Sequence, residues 1–87
     1  MTHETMTSLP GAEVLARAKR FFQERVPNYA AFPEKEGPTF LQLRGQGGEE
    51  IAIAVAVAEQ GTRVRASSML FDREIGRFFT TLPGVSA

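Results

Sequence analysis

Few residues in this chain carry the side chains that catalysis needs. Its 87 residues include one histidine and no cysteine. A Ser–His–Asp triad or a histidine metal site would have to use His3, close to the N-terminus. Without cysteine there is no thiolate nucleophile, no thiolate metal site and no disulfide framework. Glu34, Glu36, Glu49 and Glu50 offer hard oxygen ligands, but no loop spacing arranges them around a cation, and solvated surface carboxylates account for them better. Gly45-Gln46-Gly47-Gly48 has the composition of a phosphate-cradling loop. It lies between two strand-like runs and opens no helix, so it reads as a hairpin turn. The expectation is a chain with no catalytic residue, no cofactor and no metal, and so not an enzyme.

The remaining chemistry is charge. Net charge is zero, yet its sign changes along the chain. Residues 12–26 carry net +2, residues 27–60 net −3 and residues 61–87 net +2. A neutral domain is a poor candidate for tight non-specific nucleic-acid binding, although Arg44, Arg63 and Arg65 could make a local basic face. The missing cysteines point to a reducing, cytoplasmic setting, since small secreted domains are usually stapled. Residues 1–8 have neither the basic start nor the apolar run of a signal peptide. Ile51–Ala58 is far too short to cross a bilayer as a helix.

The elements that would position these residues follow from periodicity. In Glu50–Ala58, Ile51, Ile53, Val55 and Val57 alternate with Ala52, Ala54, Ala56 and Ala58, a period of two with β-branched residues on one face. A second alternating run starts at Thr62. A turn at Gln60-Gly61 would set Val57 against Val64 and Val55 against Ala66; positive φ at Gln60 is unfavourable, which leaves room for a longer turn of the same parity. Thr39–Arg44 reads as a preceding strand. A three-residue loop with a glycine bulge sets Leu41 against Ile51 and Phe40 beside Ala52.

Val14, Leu15, Ala18, Phe21, Phe22 and Val26 form one stripe of a helix expected from Pro10 to Val26, capped by Ser8 and stopped by Pro27. Ile75, Phe78, Phe79 and Leu82 form the clearest helical stripe, with Asp72 as the expected N-cap and Pro83-Gly84 as the stop. The paired phenylalanines of the two helices read as wide core stripes rather than a cofactor cleft. Residues 28–38 read as a connection anchored by Tyr29 and Phe32.

The expected fold class is therefore α+β, a helix, a three-stranded antiparallel sheet and a helix (α-β-β-β-α), with both helices on one face. Residues 1–8 would be a disordered tail, 9–83 a single domain and 84–87 a C-terminal tail. The expected core is Val14, Ala18, Phe21 and Phe22 of the first helix, Leu41, Leu43, Ile51, Ile53, Val55, Val57, Val64 and Leu70 of the sheet, and Ile75, Phe78, Phe79 and Leu82 of the last helix. Double-stranded-RNA-binding domains share this element order. Their second helix opens on a phosphate-gripping lysine cluster, whereas this chain has Phe71-Asp72-Arg73-Glu74, so no RNA-binding residue carries over.

The outer sheet face is the one unusual feature. Alanine is a weak strand former, yet it fills alternate positions of the central strand. It makes a shallow floor between a ridge of Phe40, Gln42 and Arg44 and a ridge of Arg63, Arg65, Ser67 and Met69. Either arginine stems lie over the alanines or another surface covers them. The candidate interaction face is Phe40, Arg44, Ala52, Ala54, Ala56, Arg63, Arg65 and Met69. The expected function is a small non-enzymatic interaction domain that self-associates as a homodimer through this face, or docks another protein. The alternative is weak binding of nucleic acid or an anionic ligand by the three arginines. Edge pairing through the third strand, Thr62–Met69, is the rival dimer geometry.

Overall fold

In the computed structural model, which describes residues 2–24, 30–69 and 71–85, the alternating alanine run is the central strand of a five-stranded antiparallel sheet. Chain order is β1 (Thr2–Thr7), α1 (Gly11–Glu24), β2 (Ala31–Glu36), β3 (Phe40–Gly45), β4 (Glu50–Ala58), β5 (Gly61–Ser68) and α2 (Asp72–Thr80). Spatial order in the sheet is β1-β5-β4-β3-β2. The α+β class stands, but a three-stranded sheet does not. Residues 2–7, expected as a disordered tail, pair with residues 62–67 of β5, from Thr2↔Ser67 to Thr7↔Thr62. Residues 31–36, expected as connection, pair with β3. Neither segment has an apolar face of its own, so their strand character comes from the open ladders of β5 and β3 rather than from hydrophobic period.

Both central hairpins keep the expected parity and slide by two residues. Glu59-Gln60 is the turn between β4 and β5, so Val55 faces Val64, Val57 faces Thr62 and Ile53 faces Ala66. Gly61 then holds the positive φ, at 151°, which a glycine adopts without the steric penalty Gln60 would meet. A Cβ at Gly61 would also collide with the Thr7 carbonyl oxygen of β1. Between β3 and β4 a three-residue glycine-bulge loop forms as expected, one position later. The Gly45 N–H donates to the Glu49 carbonyl (2.7 Å), the Gly48 N–H to the Gly45 carbonyl (3.1 Å), and Gly48 has φ 90°. Leu41 therefore faces Ile53, Leu43 faces Ile51 and Phe40 faces Ala54. Slides of two residues leave every side chain on its expected face.

The helices cover the Ile/Val face. Val14, Leu15, Ala18, Phe21 and Phe22 of α1 pack with Leu41, Leu43, Ile51, Ile53, Val55, Val64 and Ala66, and Ile75 and Phe78 of α2 complete the core. Phe21, Phe22, Phe71 and Phe78 join the helices in one aromatic cluster, with ring centroids 5.1–6.4 Å apart. Phe79 and Leu82 are only partly buried. Val57 departs from expectation most: it is 97% exposed. β4 outruns β3, whose last paired residue Phe40 faces Ala54, and α1 begins over Val55, so among the described residues none covers Val57. Val26, Tyr29 and Leu70 lie outside the described residues.

The expected caps shift as well. Glu13 and Val14 donate to the Pro10 carbonyl, so Pro10 rather than Ser8 precedes the first turn of α1. Phe71, not Asp72, occupies the N-cap position of α2, and its own N–H donates to Ser68 Oγ (3.0 Å). The buried hydroxyls on the β1–β5 side are engaged too. Thr7 Oγ1 donates to the Pro83 carbonyl and Thr62 Oγ1 to the Leu9 carbonyl, each at 2.6 Å. Among the described residues no helix is long and apolar enough to cross a membrane.

Candidate interaction face

The strand alternation puts the candidate residues on the face opposite the helices. Across the middle of the sheet runs the row Phe40–Ala54–Arg65–Glu4, set by three successive cross-strand pairs. Below it runs Gln42–Ala52–Ser67–Thr2, and above it Ala56–Arg63–Met6. Ala52, Ala54 and Ala56 are exposed, Phe40 is 42% exposed and Met69 is 88% exposed. β3 and β5 lie on either side of β4, so their side chains form walls about 10 Å apart over the alanine floor. An open pocket of about 290 Å³ sits over Ala52 and Ala54, between Phe40 and Arg65. It continues into one of about 600 Å³ between Arg44, Glu50, Ala52, Ser67 and Met69. Met69 lies past the end of β5 rather than opposite Ala52, which pairs with Ser67. It still lines the same groove.

Arg63 and Arg65 share one acid on the β1–β5 side, Arg44 lies across the floor on β3, and all three are partnered by acids of this chain. Arg44 is the most committed. Its Nε and Nη2 hydrogen-bond both carboxylate oxygens of Glu34, Nη2 also reaches Glu50 Oε1 (2.6 Å), and Nη1 donates to the Gly48 carbonyl (2.9 Å). The Arg44 hydrogen bond lowers the Glu34 pKa below its ordinary value; the same bond raises that of Arg44. Arg63 and Arg65 lie 3.7 and 3.5 Å from the two carboxylate oxygens of Glu4. The Arg44 guanidinium, held in this way, keeps its charge but has fewer N–H groups to offer a phosphate, whereas Arg63 and Arg65 only face Glu4 as exposed ion pairs.

Sequence reasoning missed Glu4, because residues 1–8 seemed too polar to order. The available signal was the threonine-rich run Thr2-His3-Glu4-Thr5-Met6-Thr7, since threonine is a good strand former. It also missed the role of Glu34, which reaches Arg44 from the bulge of β2 between Pro33 and Lys35. His3 lies on β1, and its Nε2 is 2.7 Å from Asp72 Oδ1 in the first turn of α2. This pair clasps the edge strand to the helix on the covered face.

No protein-family model, curated protein sequence or solved structure matches this chain.

Proposed function

We propose that this chain is a small non-enzymatic interaction domain, and that a second copy docks face to face on its outer sheet surface. The observation that carries this is the alanine groove bordered by Phe40 and Met69. The surface holds both a hollow, Ala52 and Ala54, and projections of matching size on its rims. A two-fold axis lying in the sheet plane sets Phe40 of each copy over Ala54 of the other, so the contact is self-complementary. Charge favours the same arrangement. Arg63 and Arg65 outnumber Glu4 on the β1–β5 side, while Glu34, Glu49 and Glu50 outnumber Lys35 and Arg44 towards β2 and β3. The two-fold brings each excess against its opposite. An 87-residue chain also gains most from burying further surface.

The in-chain partners of Arg44, Arg63 and Arg65 weigh against the nucleic-acid alternative, as does the zero net charge. A cytoplasmic setting accords with the absence of cysteine. Ala54→Arg fills the groove on a solvent face and should keep a cooperative melt, at a lower and less concentration-dependent temperature, while reducing the assembled mass in solution. An unchanged mass would remove the face-to-face contact.

A further inference from the structure

The two edges of the sheet are built differently. β2 is guarded: it contains Pro33, a register shift between Pro33 and Lys35, and the successive charges Glu34, Lys35 and Glu36. Proline, bulges and lysine are the devices that keep edge strands from pairing with other chains. β1 has none of them. Its six residues pair with β5 in unbroken register, and among the described residues no strand pairs with the ladder on its other side.

The direction of that ladder follows from the register. The Val55 N–H donates to the Thr39 carbonyl (2.9 Å), so the backbone groups of Val55 face β3. Its partner Val64 must then turn its own groups towards β1, because paired residues alternate in antiparallel sheets. Val64 faces Thr5, which returns those bonds, as do His3 and Thr7. Thr2, Glu4 and Met6 consequently point their N–H and C=O groups away from the sheet.

We infer that β1 pairs antiparallel with β1 of a second copy, joining two sheets edge to edge about an axis normal to them. Such pairing sets one residue opposite itself. Glu4 in that place would oppose two like charges directly. His3 or Met6 there would leave part of the strand unpaired. Centring on Thr5 pairs residues 3–7 of each copy and leaves only Thr2 without a partner in the other β1. Glu4 of each copy then exchanges N–H···O=C bonds with Met6 of the other, matching the outward groups, while two threonines meet at the axis, a favourable cross-strand pair. Arg63 and Arg65 neutralise each Glu4 from within its own copy. This contact uses the edge and not the outer face, so it stands whether or not the face-to-face contact forms.

Met6→Pro tests it, because that proline removes an outward N–H and no bond to β5. Combined with Ala54→Arg, the variant should keep a cooperative melt and have half the assembled mass of Ala54→Arg alone. Amide exchange on the wild type is the second measurement. Glu4 and Met6 should exchange roughly tenfold or more slowly at high concentration than on dilution, while Thr5 and Thr7 stay protected throughout. A folded Met6→Pro chain of unchanged mass, or Glu4 and Met6 amides that exchange fast at every concentration, would overturn the inference.

Discussion

Val55 and Val57 share one strand face two residues apart, and the fold treats them oppositely. Val55 lies under the start of α1, where the Gly11 backbone sits against its side chain, whereas Val57 is 97% exposed. Val55→Asp should abolish the cooperative thermal melt, because it buries an unpaired charge. Val57→Thr should shift stability by no more than about 0.5 kcal/mol in urea titrations, as surface changes usually do. Sequence alternation gave both valines the same face, and that was right. Whether the face is covered depends on where β3 and α1 end, which alternation does not encode. The Glu34–Arg44 pair gives a second test. Arg44 depresses the Glu34 pKa from its ordinary 4.5, so its contribution is complete above that value and is lost as pH falls through the lower folded value. Both side chains are open to water, so the effect is small. Glu34→Gln should be less stable than wild type at neutral pH, and the gap should close in acid. A gap independent of pH would contradict this assignment.

Among the elements, the central hairpins and both helices were legible because each carries an apolar stripe with its own period. β1 and β2 were not, since their residues are polar and only the neighbouring ladders make them strands. The turn between β4 and β5 illustrates the limit. Parity was fixed by burial, but the two-residue slide was fixed by Gly61, whose φ of 151° and closeness to Thr7 of β1 depend on a strand the sequence did not announce. Gly61→Ala should destabilise the domain by about 1–3 kcal/mol through backbone strain, with a further penalty from the Thr7 carbonyl. Gly76, in the middle of α2 with open space around its Cβ position, should behave in reverse. Gly76→Ala should stabilise by roughly 1 kcal/mol on helix propensity. Chemical denaturation of the two variants checks both signs.

For the whole molecule, one sheet face is sealed by helices and the other is a shallow alanine trough with exposed Phe40 and Met69. The candidate face was legible as a set, because parity alone assigns Phe40, Ala52, Ala54, Ala56, Arg63 and Arg65 to it. Its electrostatics were not, because Glu4 and Glu34 reach the arginines from strands that lack sequence signals. The proposed second copy would fill this trough. The most direct measurement mixes carbon-labelled and unlabelled chains and records filtered proton contacts from the labelled Ala52 and Ala54 methyl groups. The account predicts contacts to the Phe40 ring of the unlabelled copy, fading on dilution together with the mass measured by light scattering. Absence of those contacts in a chain that stays monomeric to millimolar concentration would contradict it.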